Sequence, residues 1–213
     1  MEHKLFLHPE KCEFYWKEIE YLRLVISENK VAMDSVKVAG VCNWPTPENQ
    51  TDVQAFIGFI NFYHHFIWDF STIARPLFDL THSNWAWNWN AKEWEAFECL
   101  KMAVTTALVL VSLQDSKSFH IEADSSDFVS RAVLSQQLPG EEKWHLVAFY
   151  SKSLSPVEWN YEIHDKEILT IICALEEWRH FLEGARHPVE IWTDHKNLEY
   201  FMMAKKLNCR QAR

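Results

Sequence analysis

The sequence predicts an α/β fold (α+β overall), in which a mixed sheet with flanking helices follows a β-hairpin and a small helical subdomain. Two observations predict it. Apolar residues alternate in short runs that are typical of strands, and apolar residues at helical spacing precede and separate those runs. The 213 residues are 48% hydrophobic and 24% charged, which is typical of a globular chain that buries its own core.

Charge and cysteine content limit the function and location of the chain. The net charge of −9 argues against a freestanding nucleic-acid-binding protein, although basic residues crowd the end of the sequence at Lys205, Lys206, Arg210 and Arg213. Five scattered cysteines show no zinc-ligand or redox spacing, so we expect a reduced, intracellular protein of the cytoplasm or nucleus. The longest apolar stretch, residues 168–175, is far too short to span a bilayer, and we expect a soluble protein without a membrane partner.

The first third of the chain predicts a hairpin followed by a helix. Residues 12–27 are typical of two short strands around a turn. Asp34 is a candidate N-cap, and Pro45 and Pro47 must end the helix that it begins.

Two capping patterns predict the next long helices. Thr51-x-x-Gln54 and Asn90-x-x-Glu93 each fit a capping box, and residues 71–80 predict a short helix between them. Residues 82–90 predict a linker. The helix after Thr51 carries Val53, Phe56, Ile57, Ile60 and Tyr63 on one face, and the helix after Asn90 carries Trp94, Phe97, Leu100 and Val104. These faces predict the core of a small helical subdomain.

The second half of the chain predicts three strands, a long helix and a fourth strand. Residues 119–124, 132–136 and 146–151 have strand patterns, and residues 189–193 form the last one. Residues 156–183 are largely helical, with one apolar face made of Ile168, Ile171, Ile172, Leu175, Trp178 and Leu182. This order predicts an α/β domain with a mixed sheet that begins near residue 86.

Three carboxylates fall where such a fold places its chemistry. Asp124 and Asp194 each close a predicted strand, and open α/β sheets bind ligands at the carboxyl ends of their strands. Glu167 lies four residues before Ile171 and therefore shares the helix face that packs on the sheet. Three carboxylates that converge on one point repel each other unless a cation lies between them.

The spacing of these carboxylates leaves two interpretations open. Paired divalent ions roughly 4 Å apart, held by carboxylates, hydrolyse phosphodiesters, and hard oxygen ligands favour Mg²⁺ or Mn²⁺ over zinc. Alternatively, Asp194 caps a helix begun at Asn197, and Glu167 is a first-turn acid favoured by the helix dipole.

Longer strings of residues resemble the polyproteins of gypsy-type (Metaviridae) LTR retrotransposons. The strings Ile121-Glu-Ala-Asp-Ser-Ser-Asp127, Ile163-His-Asp-Lys-Glu167 and Thr193-Asp-His-Lys-Asn-Leu198 are similar to the strand and helix motifs of the family's ribonuclease H. Upstream, Lys11-Cys-Glu-Phe14, Trp44-Pro-Thr-Pro47, Phe59-Ile-Asn-Phe-Tyr63 and Ala74-Arg-Pro-Leu77 resemble the end of the reverse transcriptase palm and its thumb.

The resemblance implies a multifunctional enzyme that combines an RNA-directed DNA polymerase with a ribonuclease H acting on RNA–DNA hybrids. At the matching positions, Asp124, Glu167 and Asp194 would be the catalytic residues and would bind two Mg²⁺ or Mn²⁺ ions. Residues 51–66 would hold the backbone of the hybrid, and the hairpin at residues 21–26 would resemble the primer grip. The implied partners are the RNA–DNA hybrid and the remainder of the retroelement polyprotein.

The resemblance also implies a division of the chain. Residues 1–33 would be the C-terminal remnant of the palm, residues 34–85 a thumb-like helical subdomain, and residues 86–213 an incomplete ribonuclease H-like domain. We expect the paired polymerase aspartates before residue 1 and the fourth ribonuclease H carboxylate after Arg213, which would leave the polymerase site absent and the ribonuclease H site incomplete.

Five residues depart from the pattern of the family. The pattern predicts Gly at Arg23 and Arg131, Pro at Leu108, and Arg at His64 and Cys209. Arg131 is the most disruptive, because a Gly between paired strands commonly permits a bend or a close approach of the backbone. These departures leave two functional alternatives: a catalytically inactive nucleic-acid-binding remnant or a decayed copy of the element. For the fold, the alternative is an integrase- or transposase-like nuclease, which has the same kind of sheet with carboxylates at the strand ends.

Overall fold

The computed structural model describes residues 8, 10, 12, 14–82, 87–113, 117–138, 140–141 and 143–194. Within these ranges the chain forms two four-stranded sheets, and a group of helices lies in sequence between the third and fourth strands of the first sheet. None of the helices in the described ranges combines the length and the apolar character that a bilayer crossing requires.

The first sheet contains the predicted hairpin and two further strands. Strands β1 (Glu18–Tyr21), β2 (Leu24–Ser27), β3 (Lys30–Met33) and β4 (Leu110–Val111) lie side by side in that order, and all pairs are antiparallel. The two predicted strands are confirmed, but the sequence did not predict β3 or its pairing with β4.

The turn between β1 and β2 explains why Gly is expected at position 23. Leu22 and Arg23 both have positive φ angles, 48° and 68°, as a two-residue type I′ hairpin requires. L-residues adopt this region at a cost, and Gly does not. The guanidinium of Arg23 lies 5.8 Å from the ring centre of Phe59 and 5.7 Å from that of Phe62, and these contacts offset part of the cost.

The helices that follow begin mostly where the sequence predicts. Helix α1 (Ser35–Cys42) begins at Asp34, whose Oδ1 accepts a 2.8 Å hydrogen bond from the backbone of Val36. Helix α2 (Gln50–Ile60) begins two residues earlier than predicted, because Asn49 is the N-cap and accepts from the N–H of Asp52 at 3.0 Å. The predicted capping box at Thr51 is therefore wrong. A 3-10 helix (Asn61–Phe66) and helix α3 (Phe70–Leu80) follow.

Helix α4 (Ala91–Thr105) packs with the helices before it. The predicted capping box is confirmed, since the backbone N–H of Asn90 donates to Glu93 at 2.9 Å. Phe97, Leu100 and Val104 are buried in the same core as residues of α2 and α3. We call helices α1 to α4, with the 3-10 helix among them, the helical unit. Trp94 is 47% exposed, so its predicted place on the buried face is wrong. Helix α4 thus belongs to the helical core and β4 to the first sheet, and the domain division at residue 86 stays a prediction.

The second sheet is the predicted mixed sheet. Strands β5 (Phe119–Ser125), β6 (Val129–Gln137) and β7 (Trp144–Ser153) form an antiparallel meander, and β8 (Glu190–Trp192) adds to β5 in parallel, which gives the order β7-β6-β5-β8. Helix α5 (Ile163–Glu177) and the short helix α6 (Arg179–Leu182) connect β7 to β8. The helix predicted to begin at Asn197 lies outside the described residues.

The buried face of α5 differs from the predicted apolar face. Glu167, Thr170, Ala174 and Trp178 are buried, whereas Ile172 is 47% exposed. Polar residues can occupy this face because they have partners: the hydroxyl of Thr170 donates to Ser130 on β6 at 2.7 Å. The helix is thus oriented by polar contacts with the sheet as well as by apolar burial.

Candidate metal centre

The fold brings the three predicted carboxylates together at one edge of the second sheet. Asp124 lies in β5, Asp194 follows β8, and these two strands are parallel, so their carboxyl ends meet at the same edge. Glu167 lies in the second turn of α5, which packs on that sheet. One oxygen from each of the three carboxylates lies within 4.8 Å of the other two.

Glu167 is the buried member of this cluster. It is 2% exposed, and burial raises the pKa of its carboxyl group, with smaller contributions from Asp194 and Asp124. Two hydrogen bonds act in the opposite direction: the hydroxyl of Thr193 donates to Glu167 Oε2 at 2.9 Å, and the backbone N–H of Ser125 donates to the same carboxylate. Burial and the two acidic neighbours therefore disfavour the ionised form of Glu167, and the two hydrogen bonds favour it.

This donor set fits a hard divalent cation. Carboxylate oxygens are the ligands that Mg²⁺ and Mn²⁺ prefer, and oxygens about 2–2.5 Å from an ion lie within 5 Å of each other. Burial is the main cause of the raised pKa of Glu167, and a cation at this point would counter the smaller contributions of Asp194 and Asp124. Asp124 is 50% exposed in its side chain, so the site is open to solvent on the side of β5.

Arg131 already neutralises part of this cluster. It lies directly opposite Asp124 in the antiparallel pair of β5 and β6, and its Nη2 donates to Asp124 Oδ2 at 2.7 Å. Its Nη1 is 3.4 Å from Asp69 Oδ2, and its guanidinium lies 5.9 Å from the ring centre of Trp68. The strand pairing is regular at this position, so Arg131 does not distort the sheet; it places a positive charge where a cation would bind Asp124.

The contact between Arg131 and Asp124 was not predicted. From the sequence, Arg131 was identified only as a residue that stands where Gly is expected and that would disturb the backbone between the paired strands. The register of the hairpin would have predicted this contact, because the turn at residues 126–128 fixes which residues of β5 and β6 face each other. Asp69 was also missed, and no local pattern marks it; Thr193 was recognised only as part of the string that resembles the family motif.

A cleft of about 400 Å³ opens beside the carboxylates. Trp68 from the helical unit and Trp192 from β8 line it and are 45% and 53% exposed. Its remaining lining residues are Glu122, Ala123, Asp124, Arg131, Val133, Thr193 and Asp194. The site therefore combines oxygen ligands with two exposed aromatic rings. The basic residues of the C-terminal cluster, Lys205, Lys206, Arg210 and Arg213, lie outside the described residues.

Known proteins resemble the chain in sequence. Residues 114–213 match the family described as the RNase H-like domain found in reverse transcriptase. The Tf2-3 and Tf2-4 transposon polyproteins of Schizosaccharomyces pombe are each 34% identical over 194 residues, which is 91% of this chain. The chain spans 14% of the length of these polyproteins.

Solved structures share the fold. A foamy viral protease-reverse transcriptase in complex with RNA/DNA hybrid aligns with a TM-score of 0.73 at 19% identity, covering 92% of this chain and 27% of the other. The same viral protein as its dRH form, in complex with double-stranded DNA, aligns with a TM-score of 0.77 at 18% identity, covering 92% and 35% of the two chains. The sequence matches to the reverse transcriptase domain family and to the transposon polyproteins favour the reverse transcriptase interpretation over the integrase- or transposase-like alternative. Residues 114–213 accordingly match an RNase H-like domain of the kind found in reverse transcriptases, and the chain as a whole is similar in sequence to a part of retrotransposon polyproteins.

Proposed function

We propose that Asp124, Glu167 and Asp194 form a two-metal ribonuclease H site that hydrolyses the RNA strand of RNA–DNA hybrids, in a reverse transcriptase of the gypsy type. The observation that carries this proposal is the convergence of the three carboxylates within 4.8 Å at the edge of an RNase H-like sheet. The S. pombe polyproteins support a retrotransposon origin, and the gypsy subtype rests on the sequence motifs.

The three carboxylates would together hold the metal ions in this site. Two Mg²⁺ or Mn²⁺ ions, when bound, would supply an activated water and stabilise the leaving oxygen of the phosphodiester. Asp124 and Asp194 offer oxygens from the ends of two neighbouring strands, and Glu167 completes the set from the helix. Thr193 holds Glu167 in place through its 2.9 Å hydrogen bond, which fixes one carboxylate oxygen before any ligand arrives.

The nucleic acid would be held mainly through its backbone. We assign this contact to residues 51–66 of the thumb-like helices and to the hairpin at residues 21–26, which corresponds to a primer grip. Phosphate contacts of this kind are independent of sequence and weaken with salt, and contacts with the 2′-hydroxyl would distinguish the RNA strand. We further propose that the domain acts inside the cell as part of a longer polyprotein whose remaining regions carry out RNA-directed DNA synthesis.

The pairing of Arg131 with Asp124 favours a second candidate function. The guanidinium, 2.7 Å from Asp124, competes with a metal ion for the same oxygen. A segment whose site is neutralised in this way would bind the hybrid without cleaving it. Both candidate functions predict binding of the hybrid, and only the first predicts its cleavage.

The test is cleavage of a labelled RNA–DNA hybrid with Mg²⁺ or Mn²⁺, together with hybrid binding by fluorescence anisotropy. Asp124→Asn should abolish metal-dependent cleavage and leave binding intact. Glu122→Gln is the matched control, because Glu122 lines the same cleft on the same strand but is not part of the cluster. Cleavage that persists in Asp124→Asn would refute the proposed site. Binding without cleavage by the folded wild-type chain would select the second candidate.

A further inference from the structure

A second group of potential metal ligands lies where the helical unit meets α5. His64 and His65 belong to the 3-10 helix Asn61–Phe66, and Glu177 is the last residue of α5. One ligand atom from each of the three side chains lies within 4.8 Å of the other two. Glu177 is ten residues beyond Glu167 on the same helix, so the two groups are about 15 Å apart along its axis.

The tautomer of His64 leaves one ring nitrogen free to bind a metal. Its Nδ1 lies 2.6 Å from the carbonyl oxygen of Asn61. A carbonyl only accepts, so Nδ1 carries the proton and Nε2 presents a lone pair. Histidines that bind metals commonly donate their other N–H to a backbone carbonyl in this way, which fixes the orientation of the ring.

His65 is held in the complementary way. Its ring donates a hydrogen bond to the backbone of Phe149, and its Nδ1 is buried without a hydrogen-bond partner among the residues that the structure describes. The donor to Phe149 is therefore Nε2, and the buried Nδ1 presents the lone pair. Burial lowers the pKa of His65 to about 4, with a further contribution from His64, so the ring is neutral at physiological pH, as a metal ligand must be.

We propose that His64, His65 and Glu177 bind a borderline divalent transition-metal ion of the Zn²⁺ class, which ties the 3-10 helix of the thumb-like unit to α5. Two neutral imidazoles and one carboxylate suit Zn²⁺ and not Mg²⁺, which prefers oxygen ligands. A cleft of about 630 Å³, lined by His64 and Glu177 among others, leaves room for a water as the remaining ligand.

This ion would add to contacts that already join the two units. The backbone N–H of Ser71 donates to Ser151 Oγ at 3.0 Å, and the hydroxyl of Ser71 donates to the carbonyl of Ser151 at 2.8 Å. Ser71 and Ser151 line the same cleft as His64 and Glu177. A metal at this point would fix the orientation of α5, and hence of Glu167, relative to the helical unit. The proposal does not depend on the nuclease activity.

The test is a titration of the metal-free full chain with Co²⁺, which reports its coordination through visible absorption, in excess Mg²⁺ to occupy the carboxylate cluster. We expect one Co²⁺ per chain, displaced by Zn²⁺. Loss of a residue that only orients a metal ligand typically weakens metal binding by about 10- to 100-fold. His64→Ala and Glu177→Gln each remove a ligand and should weaken Co²⁺ binding by more than this. His82→Ala is the matched control, because it removes an exposed imidazole outside the group.

Folding is monitored separately by circular dichroism. Glu177 is exposed and its replacement by Gln is isosteric, so this variant keeps the fold. A thermal midpoint that Zn²⁺ raises in the wild type and not in Glu177→Gln would support the site independently of the spectrum. Failure of the folded wild type to bind Co²⁺ would overturn the proposal. Equal binding by the wild type and Glu177→Gln would also overturn it, and would place the ion elsewhere, for example on cysteines.

Discussion

Replacing Arg131 by Ala should strengthen the binding of divalent metal to the carboxylate cluster. The variant removes the guanidinium that lies 2.7 Å from Asp124 and leaves the strand backbone in place. A charge-assisted hydrogen bond shielded from water contributes about 1.5–3 kcal/mol, and an exposed ion pair about 0.2–1 kcal/mol. Asp124 is 50% exposed and Arg131 25% exposed, so we take a value between these ranges, about 1.4 kcal/mol, which corresponds to about tenfold in metal affinity.

Calorimetric titration with Mn²⁺ measures this change directly. Without metal, Arg131→Ala should also be less stable than the wild type, because Asp69 and Asp124 lose their shared cation. Adding Mn²⁺ should then raise the unfolding free energy of the variant more than that of the wild type.

The matched control for this prediction is Arg75→Ala. Arg75 packs against aromatic rings in a similar manner, 5.5 Å from the ring centre of Phe128 and 5.7 Å from that of Trp159, whereas the ion pairs of Asp69 and Asp124 are made with Arg131. Equal or weaker Mn²⁺ binding by folded Arg131→Ala, with Arg75→Ala unchanged, would refute the idea that Arg131 competes with the metal.

Three further predictions concern stability. The pKa of Glu167 is raised in the folded state, so its contribution to stability is present below its unfolded pKa and is lost as pH rises through its folded pKa. Without metal, the wild type should therefore lose unfolding free energy above about pH 4.5, and Glu167→Gln should lose less, as measured by urea unfolding. Arg23→Gly should be more stable than Arg23→Ala by about 1 kcal/mol, because both lose the aromatic contacts but only Gly relieves the positive φ of 68°; equal stability would contradict a strained turn. Asn90→Ala should cost about 1 kcal/mol by removing the cap of α4, and an unchanged thermal midpoint would argue against that cap.

The sequence predicted the carboxylates because each has a local signature. Asp124 and Asp194 end runs of strand-forming residues, and Glu167 interrupts a helix face that is otherwise apolar. Strand ends and helix faces follow from periodicity within a short window. The element order predicted a mixed sheet, and the parallel pairing of β5 with β8, which brings the two strand ends together, is seen in the structure.

Features that depend on contacts between distant segments escaped prediction. Ile172 fits an apolar helix face, yet Thr170 is buried in its place because Ser130 on β6 offers it a hydrogen bond. The group formed by His64, His65 and Glu177 joins segments more than a hundred residues apart, and neither segment carries a metal-binding motif of its own. Side-chain partners across elements are set by the packed structure, and periodicity carries no information about them.

The pairing of β3 with β4 has a consequence for how the chain acquires its structure. Lys30 lies opposite Val111, so the first sheet closes only when residues far along the chain reach the N-terminal hairpin. During synthesis the hairpin and helices α1 to α3 emerge before α4 and β4. Until α4 and β4 have been synthesised, the apolar faces of the earlier elements are exposed to solvent. Closure of so long a loop is slow compared with the formation of local helices. This interval, before the ribosome has released residue 111, is when chaperones or proteases have access to the core of the helical unit.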